Sequence, residues 1–162
     1  MGNVLRHSRP GASRPNHPCV PWYRPPWPAD WTDPMPADVV LLHHTLPDAT
    51  SHYDWLTSPP GREGHGLVAF RLGHRLDDPG WDRQTALRLP EHRLLYLTFE
   101  GDLSGDRGYV RRVARGICLE WVETPDEIRT TQVLDPANGG VRISLMVTRL
   151  EGDSWEVRRV KV

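Results

Sequence analysis

Cysteine is nearly missing from this chain of 162 residues, which holds only Cys19 and Cys118. Cys19 sits among prolines and Cys118 in an apolar, strand-like run, so there is no disulfide framework and a reducing compartment is the simpler expectation. Lysine is rarer still: Lys161 stands beside nineteen arginines. Codon bias accounts for such a ratio, and it is not read as phosphate binding. Neither sign of charge dominates, with a net charge of -1 and 25% charged residues. That removes a global pull toward nucleic acid but leaves room for a local basic patch. No apolar segment approaches the length that spans a membrane, and the N-terminus lacks the hydrophobic core of a signal peptide. A soluble, cytoplasmic protein with no membrane partner is expected. Helical periodicity is also absent, since no segment sustains apolar residues at helical spacing beyond about two turns.

Proline is abundant but uneven, with nine of sixteen in residues 1–37. That density excludes helix and central strand, so an extended or partly disordered Pro/Trp-rich lead is expected there. Trp22, Trp27 and Trp31 favour packing of its later part onto the body. Residues 38–162 are long enough for one domain with a real core. Short apolar segments recur between turn clusters: Leu67–Leu72, Leu94–Phe99, Tyr109–Val113, Ile117–Val122, Ile128–Leu134, Val141–Thr148 and Trp155–Val160. Asn138-Gly-Gly and Glu151-Gly-Asp-Ser mark tight turns between strands. The fold class expected is all-β, a small antiparallel β-barrel.

The chemistry concentrates between Val39 and Trp55. The apolar run Val39–Leu42 reads as a buried strand ending on His43 and His44, and a loop composition follows. The chain returns as His52-Tyr53-Asp54-Trp55. If the return is extended, His52 and Asp54 share one face. His44 shares the face of Val40 and Leu42. Folding the loop back gathers His44, His52 and Asp54, and two imidazoles with a carboxylate suit Mn, Fe or Zn with positions left open. The bland alternative is rim histidines that only satisfy hydrogen bonds.

A second group lies further on. With Glu91–Phe99 extended, His92 and Tyr96 point to one face, and Arg88 has the same parity across Pro90. An imidazole, a phenol and a guanidinium fit a phosphate, and His92 is placed to protonate a leaving oxygen.

His52-Tyr-Asp54, then Leu89-Pro-Glu-His92-Arg-Leu-Leu-Tyr96-Leu-Thr-Phe-Glu100-Gly101, then Ser104-Gly-Asp-Arg-Gly108, resembles the 3'-phosphoesterase module of bacterial DNA ligase D and its stand-alone relatives. The resemblance covers roughly residues 39–121. It implies a small β-barrel and a manganese-dependent enzyme that removes a 3'-phosphate or a terminal ribonucleoside from nucleic-acid 3' ends in DNA repair. It implies His44, His52 and Asp54 as ligands of Mn²⁺ or another divalent transition metal, and His92 and Tyr96 as groups on the scissile phosphate. With no ligase or polymerase motif in the chain, such partners would act in trans. The chain departs from the family at several points. Seven residues separate His44 from His52, more than is usual, and His43 competes as a ligand. Two positions that carry arginine in the family are Leu56 and Gln84, so Arg88, or Arg83 with poorer parity, is expected to substitute.

Two rivals follow from the same residues. A non-haem iron oxygenase would use His52, Asp54 and His92, with His44 remote. A non-catalytic module would bind a nucleic-acid end or a protein without metal.

Overall fold

A computed structural model describes residues 38–62, 64–135 and 138–161. The Pro/Trp-rich lead of residues 1–37, with its tryptophans and Cys19, lies outside the described residues. The fold is all-β, with nine strands among the described residues: β1 Val39–Thr45, β2 Ser51–Thr57, β3 Leu67–Leu72, β4 Arg83–His92, β5 Gly101–Asp102, β6 Tyr109–Glu123, β7 Glu127–Leu134, β8 Val141–Glu151 and β9 Ser154–Arg159. They form one antiparallel sheet in the order β1-β2-β3-β4-β9-β8-β7-β6-β5, and β1 pairs back onto β6. The sheet therefore closes on itself, and among the described strands the short β5 alone lies outside the ring. Closure removes the exposed edges of an open sheet.

The turns obey their local chemistry. Asn138 and Gly140 donate their backbone N–H groups to Asp135 O in the β7–β8 connection, where Gly139 and Gly140 take positive φ. Gly152, at φ 55°, turns β8 into β9. The two strands expected over Tyr109–Val113 and Ile117–Val122 are one fifteen-residue strand. Gly116 is where β6 passes from one neighbour to the other, pairing with Val39 of β1 and Leu134 of β7. A Cβ there would sit 2.1 Å from Val133 O, so only glycine permits the crossing.

Eight of the strands contribute to one apolar cluster, which identifies the ring interior. Trp55, Phe70 and Trp155 lie at its centre with Leu41, Ile128, Leu145 and Val157. Trp55 stacks on Phe70 at 5.3 Å and Phe70 meets Trp155 edge-on at 5.9 Å. Each fully buried side chain of this size contributes roughly 1.5–3 kcal/mol. A second apolar layer lies on the outer face, built from Val40, Leu42, Leu56, Leu67, Ala69 and Val110. Covering on both faces explains why β1 opens as an unbroken apolar run.

The cover of that layer differs from the expectation of a strand over Leu94–Phe99. The strand comes earlier, as β4, and Leu94–Leu97 is a single 3-10 turn. Its three-residue period brings Tyr96 and Phe99 to one side, with ring centroids 5.9 Å apart. Both pack with Leu97 and Leu103 onto the outer layer. Arg112 of β6 ties the turn down, donating from its guanidinium to Leu97 O at 3.1 Å and from its backbone N–H to Glu100 at 2.7 Å. Among the described residues no helix is long and apolar enough to cross a membrane.

Candidate metal centre

The β1–β2 hairpin builds the first half of the site. Its register sets His44 directly opposite His52 and Leu42 opposite Asp54. The loop is closed by Leu46 N–H donating to Thr50 O and by Asp48, which accepts from the backbone and hydroxyl of Thr50. Those bonds hold the Asp48 carboxyl below its ordinary value. Directly opposed residues share a face, and so do residues two apart on one strand. The spacing of seven residues therefore does not separate the imidazoles, because register and not loop length decides their meeting. His43 takes the other face, its ring 5.2 Å from Tyr53.

One donor atom from each of His44, His52 and Asp54 lies within 4.8 Å of the others. His44 Nδ1 is 3.4 Å from one Asp54 oxygen and His52 Nε2 is 3.4 Å from the other. These distances exceed a charge-assisted hydrogen bond. His52 Nε2 and Asp54 Oδ1 are buried with no hydrogen-bond partner among the described residues. His44 Nε2 lies 2.8 Å from the carbonyl oxygen of Arg107. A carbonyl only accepts, so Nε2 carries the proton and Nδ1 presents a lone pair to the cluster in the neutral ring. Buried lone pairs that converge without a donor suit a cation, and a carbonyl on the remote nitrogen is the usual support of a ligating histidine. The three residues fit a divalent transition metal, with oxygen and nitrogen donors that leave its identity open.

His44 and Asp54 of the cluster line a cleft of about 260 Å³, between the outer face of the ring and the cover formed by residues 89–110, while His52 lines an adjoining open hollow that shares Arg71 with it. His92 and Tyr96 line the same cleft, their rings 5.5 Å apart. Tyr96 is half-buried at the wall and also packs against the outer apolar layer. His92 Nδ1 is 2.9 Å from Pro90 O, which places its proton there and leaves Nε2 for other work. A larger open hollow of about 660 Å³ lies across β6, β7 and β8, but no imidazole lines it.

Arg88 does not join His92 and Tyr96. Its guanidinium bonds Glu123 at 2.8 Å and lies over the rings of Phe70 and Trp155, on the interior side. The cause is a bulge. Leu67 pairs with His92 and Ala69 with Leu89, so β4 carries one extra residue beside Pro90. The extra residue reverses the alternation between Arg88 and His92. Arg83 is exposed and pairs in register with Arg158 of β9. Gln84 locks the β3–β4 connection through both backbone groups of His74, and Leu56 is fully buried in the outer layer.

Two guanidinium groups that the sequence reading did not single out line the cleft: Arg71 and Arg107. Arg107 is held by Ser104, donating to its carbonyl at 2.7 Å and its hydroxyl at 3.1 Å. Arg71 stands on β3 in register with Asp54. Its signal was available, as the one charged residue in an otherwise apolar strand. The chain matches no protein-family model and no curated protein.

Proposed function

We propose that the chain is a metal-dependent phosphoesterase that acts on nucleic-acid 3' ends, removing a 3'-phosphate or a 3'-ribonucleoside in the manner of the ligase D phosphoesterase module that its motifs resemble. The observation that carries this reading is the convergence of His44 Nδ1, His52 Nε2 and Asp54, two of which, His44 and Asp54, line one cleft with His92 and Tyr96. A Mn²⁺ held there supplies Lewis-acid polarisation of a phosphoryl oxygen. The chain's own groups do the rest. The Arg107 carbonyl keeps His44 in the tautomer that ligates. Tyr96 donates a hydrogen bond from its hydroxyl to an oxygen on which charge develops. A water oxygen forms the new bond to phosphorus as the ester P–O bond breaks, and His92 as the imidazolium, with Nδ1–H given to Pro90, passes its Nε2 proton to the leaving oxygen. The apolar residues Leu42, Leu89 and Leu103 in the lining limit water around the ester. That His44, and not His92, completes the donor cluster favours hydrolysis over an oxygenase built on His52, Asp54 and His92.

The test is release of phosphate or nucleoside from a primer-template bearing a 3'-phosphate or a 3'-ribonucleotide, with Mn²⁺ added. Wild type is expected to release product and His52→Ala to lose that release. Equal activity in the two would reject the site.

A further inference from the structure

We infer that Arg71 is the anion-holding group of the cleft, taking the non-bridging oxygens of a tetrahedral phosphoryl group, so that the substrates are phosphate esters and not carboxylic esters. The inference rests on the hydrolytic reading for its chemistry, but its geometry stands separately. Arg71 faces outward with Leu67 and Ala69 of the same strand, which belong to the outer apolar layer. It stands in register with Asp54 and lines the cleft with His44, His92 and Tyr96. A guanidinium so placed would ordinarily pair with the carboxylate beside it. Here Asp54 turns its two oxygens to the two imidazoles instead. Beyond the backbone ladder, the Arg71 guanidinium makes no hydrogen bond or ion pair with another described residue.

Its neighbours do not compete for the role. Arg107, the other guanidinium of the cleft, is spent on Ser104, and Arg88 is spent on Glu123. A spare cation beside a cluster suited to a divalent cation is unfavourable by repulsion unless an anion lies between them. A phosphoryl group is such an anion: it offers one oxygen to the metal side and two to the planar fork of an arginine. Arg71 thus replaces, from a different strand, the clamp that Leu56 and Gln84 cannot provide.

The experiment titrates inorganic phosphate into the full chain by calorimetry, with and without Mn²⁺, for wild type, Arg71→Ala, Arg71→Lys and His52→Ala. Arg71→Ala is expected to weaken phosphate binding about 10–100-fold, as for loss of charged hydrogen bonds. Arg71→Lys, which keeps the charge without the fork, is expected to fall between. Mn²⁺ affinity is expected to be retained in both Arg71 variants and lost in His52→Ala. Phosphate affinity of Arg71→Ala within twofold of wild type would overturn the inference. If that occurs while His52→Ala still abolishes ester cleavage, the hydrolytic reading survives alone. If phosphate binding needs Arg71 but wild type cleaves no ester, the anion site stands and the hydrolytic reading falls.

Discussion

His44 and Arg107 lie 63 residues apart in the chain, yet the imidazole of the first donates to the backbone carbonyl of the second at 2.8 Å. That bond couples the hairpin carrying the candidate ligands to the loop that covers the cleft. Gly108 makes it reachable. Its φ is +94°, and a Cβ there would lie 2.0 Å from Thr45 O. Gly108→Ala is therefore expected to cost about 1–3 kcal/mol of stability, from backbone strain. Displacing the carbonyl of Arg107 is expected to lower Mn²⁺ affinity about 10–100-fold. Urea unfolding and a Mn²⁺ titration read the two effects. Unchanged metal affinity would show that the Arg107 carbonyl does not support His44.

Metal binding is expected to stabilise the fold, because the three donors are assembled only when β1 pairs with β2. At a free Mn²⁺ concentration of 100 times Kd the gain is about 2.7 kcal/mol. Thermal unfolding with Mn²⁺, with Zn²⁺ and with a chelator measures it. His52→Ala and Asp54→Asn are expected to melt at the same temperature with and without metal. A variant that still gains stability would place the ion elsewhere.

Tyr96→Phe removes one hydroxyl and leaves the ring packed against His92 and Phe99. Stability is expected to change by less than about 0.5 kcal/mol, while kcat drops by about 100–1000-fold, as for loss of one oxyanion donor. Full activity in this variant would remove Tyr96 from the reaction and leave it as cover for the outer layer.

Leu56 occupies a position at which the resembling family carries an active-site arginine. Here it is fully buried between β2 and the outer cover. Leu56→Arg is expected to destabilise by about 3 kcal/mol or more, through burial of an unpaired charge. The urea midpoint reports this. A stable variant would mean that the cover opens readily, and that the family's arrangement is still accessible.

Burial raises the pKa of the Cys118 thiol above its ordinary value, the hydrogen bond with Thr130 opposing that only in part. Less thiolate is present at any pH below the raised value, and the sulfur is shielded as well. Iodoacetamide at pH 8 is expected to modify Cys118 far more slowly in the folded chain than in urea, as read by peptide mapping. Equal rates would contradict the packing around β6 and β7.

Several features were legible in the residues. The unbroken run Val39–Leu42 announced a strand covered on both sides, and the second cover is the layer holding Tyr96, Leu97, Phe99 and Leu103. Alternation placed His52 and Asp54 on one face, because a strand has a strict two-residue period. Asn138-Gly-Gly and the glycine after Glu151 marked their turns through positive φ. Leu94–Phe99 misled because its apolar residues fit a strand and a 3-10 turn equally over so short a stretch. Only the docking of Tyr96 and Phe99 on the outer face, with Arg112 bonded to Leu97 O, selects the turn.

By itself the sequence determined the β class and the pairing of a His-x-Asp return with an upstream histidine, since both follow from local alternation and turn chemistry. Tertiary structure decided which cations reach the site. One extra residue in β4 turns Arg88 inward to Glu123, and the register of β2 with β3 brings Arg71 beside Asp54. Register and bulges are set by pairing between distant strands and by the packing of a shared core. No window of neighbouring residues encodes them, so the fold alone could choose between the two arginines.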